Sequence, residues 1–191
     1  MSAMSSSRHV VTVDEFERMA EAGAFGPDVR VELLEGEILD MSPIGNRHEA
    51  CVDRLNALFV TGLSGRAIVR VQGSVQLGDL SLPQPDLALL RPRDDYYADR
   101  RPTSADILLL IEVADTTVES DRWRKLPAYS RSGVTEAWLV DINGCSVEVA
   151  TKPSSEGYES LVQFGLDDTV APRAFPDVAT TVRQILGVRD G

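Results

Sequence analysis

The sequence predicts an α/β sandwich, a central mixed β-sheet flanked by helices. Three observations predict it. The run Ile107-Leu108-Leu109-Leu110-Ile111 is continuously apolar, as in a central strand covered on both faces. Segments of helical periodicity are interspersed with short apolar runs along the whole chain. Residues 29–41 alternate around Glu35-Gly36, and Asn143-Gly144 separates two further apolar runs, so the chain carries two hairpin signals.

Taken in order, Thr12 or Asp14 caps a short helix over 14–22 that stops near Gly23. The hairpin over 29–41 follows, and residues 42–46 make a turn and cap. A longer amphipathic helix over 46–62 then repeats Val52, Leu55, Leu58 and Phe59 at helical spacing. Residues 66–77 read as a strand, the pair Gly78-Asp79 as a turn, and 86–91 as the next strand. A polar loop over 94–104 holds Tyr96 and Tyr97. Strand 107–113, a helix within 120–132 closed by Gly133, and strand 136–142 come next. Strands 145–151 and 158–164 and a last helix over 178–186 complete the pattern. Pro127 suits a first helical turn and breaks an interior, so the regular part of that helix is expected to begin close to 121–126.

At 191 residues and 43% hydrophobic content the chain is expected to be one domain with a substantial core, over 12–187. Residues 1–11 and 188–191 are expected to be tails, the first of them disordered. No stretch approaches the roughly 18 apolar residues that cross a bilayer, and the start has no apolar leader. Cys51 and Cys145 make neither a disulfide framework nor a zinc spacing. No membrane role and a cytoplasmic location are the expectations. The net charge of −11 disfavours tight nonspecific binding to a polyanion, because such affinity comes from Lys and Arg displacing counterions. Arg91, Arg93, Arg100, Arg101, Arg122 and Arg124 are either a local basic rim or charges on solvated loops.

The chemistry concentrates between Gln84 and Asp141. Pro85-Asp86 opens one apolar run, and the run Ile107 to Ile111 ends on Glu112. Two carboxylates at the ends of adjacent buried strands are costly unless something neutralises them. A hard divalent cation such as Mg²⁺, with Mn²⁺ as the alternative, takes oxygen ligands of this kind together with water and phosphate. The main-chain carbonyl of Val113 could add a third protein ligand. The plainer readings are a strand-start cap for Asp86 and a strand-end salt bridge for Glu112. Lys125 stands out because only it and Lys152 are lysines among 19 basic residues. Its compact mobile charge suits orienting a water or stabilising a developing anion, although a surface lysine is the plain alternative.

Several segments together carry a resemblance. They are Gln84-Pro85-Asp86-Leu87, Ile111-Glu112-Val113, Asp121 through Lys125-Leu126, Tyr129, Gly133-Val134 and Glu136-Ala137-Trp138-Leu139-Val140-Asp141. Upstream, Val31 to Glu37, Met41-Ser42-Pro43 and His48 add to them. Their order and spacing resemble the Uma-two family of putative restriction endonucleases, within the PD-(D/E)XK nuclease superfamily, over about residues 12–187. The resemblance implies a restriction-endonuclease-like sandwich and metal-dependent hydrolysis of DNA. It implies Asp86 and Glu112 as metal ligands and Lys125 as the catalytic lysine. The superfamily's Glu-x-Lys would put lysine at position 114, on the same strand face as Glu112, but Ala114 stands there. The lysine must then come from the following helix. The usual Ser-Pro after the Glu-Val strand is replaced by Asp115-Thr116.

Glu32 and His48 are auxiliary candidates. Glu32 would supply an outer carboxylate, with Glu49 as a rival. His48 lies near a helix start, where the positive dipole disfavours its protonation. Asp121 is expected to cap a helix with Ser120, and Trp123, Tyr129 and Trp138 are expected in the core. A homodimer is expected if both strands of a duplex are cut. Two other functions stay open: a catalytically inactive nuclease-fold interaction or regulatory protein, and a hydrolase of small phosphate esters. A basic groove beside Asp86 would favour the nuclease, an acidic cleft the other two.

Overall fold

The computed structural model describes residues 9–26 and 28–189. Residues 1–8 and 190–191, within the two expected tails, lie outside the described residues. Helix α1 (Val13–Glu21) is capped by Thr12, whose side chain accepts from Glu15 N while Glu15 reaches back to it. Strands β1 (Val31–Leu34) and β2 (Glu37–Asp40) form a two-stranded sheet, and Leu33 makes an isolated antiparallel bridge to Leu82. The two strands turn at Glu35 and Gly36, both at positive φ, which is the backbone a type I′ hairpin demands. A Cβ at Gly36 would collide with the Val10 side chain. Gly36→Ala is therefore expected to cost about 1–2 kcal/mol through the left-handed backbone and the clash, read as a lower urea midpoint.

Helix α2 (Asn46–Leu63) leads to the main sheet. Its strands are β3 (Ile68–Val71), β4 (Leu87–Leu90), β5 (Ile107–Ala114), β6 (Glu136–Asp141), β7 (Ser146–Ser154) and β8 (Gly157–Phe164), in that spatial order. All neighbours are antiparallel except β5 and β6, which run parallel and are joined by a helical crossover. The crossover holds α3 (Val118–Ser120), a π turn (Asp121–Lys125) and α4 (Leu126–Arg131). A small pair, β9 (Thr169–Val170) with β10 (Thr180–Thr181), precedes α5 (Val182–Leu186). This is the mixed, helix-flanked sheet expected from the sequence.

Alternate residues of β5 serve opposite faces. Leu109, Ile111 and Val113 pack with Leu55 and Phe59 of α2 and Ile185 of α5. Leu110 and Ala114 pack with Leu126 and Tyr129 of α4. Glu112 shares the parity of the second set, so strand alternation turns its carboxylate toward the crossover helix.

Three elements depart from expectation. The strand expected over 66–77 ends at Val71, because Gln72 adopts φ +49 and its N–H donates to Asp86 O at 3.0 Å. Val75 and Leu77 are still buried, so their apolar pattern records loop packing. The last helix starts at Val182 instead of 178, since Thr180–Thr181 are paired to β9 and Thr181 caps the helix with Gln184. The crossover begins at Val118, ahead of the span expected within 120–132, while its regular part after the π turn begins at Leu126, within the expected 121–126. Among the described residues, no helix is long and apolar enough to cross a membrane, and Cys51 and Cys145 are free thiols.

Candidate active site

Asp86 precedes the first ladder residue of β4, and its Oδ2 accepts the Val113 N–H at 2.8 Å. The carboxylate is thereby tied to the backbone of β5 one residue past Glu112. His48, in the first turn of α2, places Nε2 3.0 Å from the same Oδ2. Gly45 is the N-cap of α2 and supplies no side-chain cap, and Gly45, His48 and Asp86 line the same cleft.

Lys125 reaches the same place from the crossover. Pro127 has no N–H and its ring crowds the carbonyl four residues back, which a regular α-turn cannot tolerate. Residues Asp121–Lys125 widen into a π turn, and Leu126 N donates to Asp121 O, five residues back. Lys125 Nζ then lies 3.2 Å from Glu112 Oε2 and 3.1 Å from Glu32 Oε1. Glu32 sits on β1, and its other oxygen accepts the Gln84 N–H at 3.1 Å. The second oxygen of Glu112, Oε1, accepts a short hydrogen bond from the Tyr129 hydroxyl. Position 114 holds a fully buried alanine, and the ammonium beside Glu112 is that of Lys125 from the crossover.

These groups line one cleft of about 380 Å³. It brings together Glu32, His48, Asp86, Glu112, Val113 and Lys125, every candidate singled out in the sequence except Glu49. Glu49 is exposed and lies outside the lining. Asp115, at the end of β5, is held by Arg47 Nη1 at 3.1 Å, and the same atom reaches Asn143 Oδ1 at 2.9 Å. The Asp115-Thr116 turn is thus anchored from both α2 and the β6–β7 connection.

Residues 13–183 match the family described as Uma2, putative restriction endonuclease. The chain belongs to this family. Its fold is also that of a crystal structure described as a putative nuclease belonging to DUF820 from Anabaena variabilis. The two share 15% identity, with a TM-score of 0.71, over 93% of this chain and 98% of that one. No curated protein matches the chain.

The electrostatics of this Uma2 cleft follow from burial. Burial pushes the Glu112 carboxyl well above the ordinary glutamate range against the pull of Lys125, and Asp86, Asp121 and Glu32 add to the push. Burial alone would depress Lys125, but Glu112, Glu32 and Asp121 together hold its pKa above the ordinary lysine value. His48 differs from expectation. Its hydrogen bond to Asp86 raises its pKa, and this outweighs burial, so a full carboxylate at 3.0 Å dominates over the helix dipole. Its Nδ1 is buried and has no hydrogen-bond partner among the described residues.

Asp121 also differs. It is buried in the π turn, where Oδ2 accepts from Thr117 Oγ1 at 2.6 Å, and burial raises its pKa. It faces the cleft beside Lys125 and caps no helix start. Tyr129 and Trp138 are in the core as expected, but Trp123 is 70% exposed, its indole N–H donating to Glu119. The widened turn swings it outward. The arginines are largely paired locally: Arg93 with Asp95 and Asp99, Arg100 with Asp106, Arg101 with Glu17, Arg122 with Glu148. Of the six that could have formed a rim, only Arg124 lines the cleft.

Sequence reasoning missed the contact of Tyr129 with Glu112. The signal was present: Lys125 and Tyr129 are four apart and therefore share a helix face.

Proposed function

We propose that this chain is a divalent-metal-dependent endonuclease that hydrolyses DNA phosphodiesters, with Asp86 and Glu112 as ligands of Mg²⁺ or Mn²⁺ and Lys125 as the catalytic lysine. The observation that carries the reading is the placement of one lysine ammonium between Glu32 and Glu112, at the end of β5, in a cleft that Asp86 and Asp121 also line. The acidic residues of the lining outnumber its lysine and arginines, and a cleft with this surplus of negative oxygen donors suits a hard cation. Among the described residues, no group of three or more His, Cys, Asp or Glu is arranged to hold a metal ion alone. Mg²⁺ commonly takes only one or two carboxylates and completes its shell with water and phosphate oxygens. The Val113 carbonyl is the remaining protein ligand in this reading.

When bound, the ion would polarise the scissile phosphate and lower the pKa of the attacking water. The protein residues do the rest. The Val113 N–H and His48 fix the orientation of Asp86, and Tyr129 fixes Glu112. Glu32 holds the Lys125 ammonium beside Glu112, where it can stabilise the negative charge that develops on the phosphate. His48, with Nε2 on Asp86 and Nδ1 buried, is auxiliary through its hold on that carboxylate. A homodimer with two-fold related clefts belongs to the proposal, because it lets both strands of a duplex be cut.

The test is cleavage of labelled duplex and single-stranded DNA in Mg²⁺ or Mn²⁺, comparing wild type with Asp86→Ala and Lys125→Ala. Cleavage that needs metal and falls at least about 10²-fold in both variants is expected. Equal cleavage by all three proteins would place the chemistry elsewhere. A second reading draws on the predominantly acidic cleft lining, where Arg30, Arg124 and Lys125 face Glu32, Asp40, Asp86, Glu112, Asp115 and Asp121. That lining favours a nuclease-fold interaction module without catalysis. Absence of cleavage together with absence of metal binding at millimolar concentration would select it.

A further inference from the structure

The two oxygens of Glu112, a proposed ligand, meet opposite surroundings. Oε2 faces the cleft beside the Lys125 ammonium. Oε1 is turned inward, into the packing between β5 and α4, where it accepts the Tyr129 hydroxyl proton. Tyr129 is fully buried among Leu126, Val134 and Leu139, so its ring cannot swing away without disturbing that face of the sheet. The Glu112 side chain is itself only 4% exposed, which leaves Oε1 no route to the cleft except rotation of the whole carboxylate. Such a rotation would strip both Tyr129 and Lys125 of their acceptor.

The consequence is geometric. A carboxylate clamps a cation in bidentate fashion only if both oxygens turn toward it. Large cations such as Ca²⁺ gather six to eight oxygens and use bidentate carboxylates freely, whereas Mg²⁺ demands near-ideal octahedral geometry at shorter distances. Resting on the metal reading above, we infer that Tyr129 is a positioning residue that enforces one-oxygen ligation by Glu112 and so makes the cleft discriminate against Ca²⁺. Tyr129 touches no substrate in this scheme. It acts through the carboxylate, as a hydroxyl that holds a ligand in one orientation and sets which ion fits.

Tyr129→Phe keeps the ring and removes only the hydroxyl. Calorimetric titration of the wild type with Mg²⁺ and with Ca²⁺, in the absence of DNA, is expected to show the tighter binding for Mg²⁺. The variant is expected to lose about tenfold of that preference, because Glu112 is freed to present both oxygens. The readout is a ratio of affinities, which a purely structural role for the tyrosine would leave unchanged. An unchanged ratio in a folded variant overturns this inference and leaves the metal reading standing. Tighter binding of Ca²⁺ than of Mg²⁺ by the wild type overturns it too, without recourse to the variant. A wild type that binds neither ion overturns both.

Discussion

Lys125→Met is expected to reduce cleavage about 10²–10³-fold while tightening the binding of Mn²⁺. The two effects have one origin. In the metal-free protein the ammonium is the countercharge for Glu112 and Glu32, at 3.2 and 3.1 Å. Methionine fills much of the same space and carries no charge. The transition state then loses its cation, and two buried carboxylates with Asp121 nearby lose theirs. Breaking a buried pair of this kind costs about 3–5 kcal/mol, so the metal-free variant melts well below the wild type. A divalent ion bound as proposed would relieve that strain, and the rise in melting temperature on adding Mn²⁺ is expected to be larger in the variant than in the wild type. A variant with unchanged metal affinity and undiminished cleavage would remove Lys125 from the site.

Trp138→Phe is expected to destabilise the fold by about 1–3 kcal/mol, and more at pH 8 than at pH 5. Trp138 is fully buried near Phe59, and its indole N–H donates to Glu136 Oε1 at 2.8 Å. The other oxygen of Glu136 accepts the Arg173 N–H at 2.9 Å. Burial raises the Glu136 pKa above its ordinary 4.5, and these two donors pull it back. The folded chain therefore binds the Glu136 proton more tightly than the unfolded chain. Stability on this account is highest below the unfolded pKa and falls as pH rises through the folded one. Phenylalanine removes one donor, raises the folded pKa further and steepens that fall. Urea melts across this range measure it, and Trp138→Phe in a Glu136→Gln background should lose the added pH dependence. A pH-independent deficit would mean that only packing was lost.

The sheet was legible because its strands obey one-dimensional rules. A continuous apolar run such as 107–111 can be buried on both faces only at a sheet's centre, and β5 lies between β4 and β6. Asn143-Gly144 announced the β6–β7 turn for a similar local reason. Asp86 and Glu112 could be named because one opens and the other closes such a run, and Lys125 because it is one of only two lysines. What could not be read is their set of partners. The Val113 N–H on Asp86 and the Lys125 ammonium on Glu112 are the cap and the salt bridge that the plainer readings anticipated, and both exist. They do not account for Glu32 at the same lysine, since that contact depends on how the β1–β2 hairpin packs. Pro127 told of a disturbed helix start, but its effect is a widened turn inside a longer helix. That widening also explains Trp123, an apolar residue whose exposure no periodicity of 3.6 would foretell.

The β1–β2 hairpin hydrogen-bonds as a sheet of its own and is tied to the rest through a few contacts. Among them are Leu82 N to Leu33 O, Gly36 N to Leu80 O and the ion pair of Glu35 with Arg131. A two-stranded ribbon is marginal by itself, so its order is borrowed from those seams. The two carboxylates that grip Lys125 accordingly belong to bodies of unequal endurance, Glu112 to the six-stranded sheet and Glu32 to the ribbon. Local opening takes the weaker body first. With the ribbon detached, the ammonium keeps its partner on the sheet and loses the other, so the clamp on the lysine comes apart while the core beneath it is still folded.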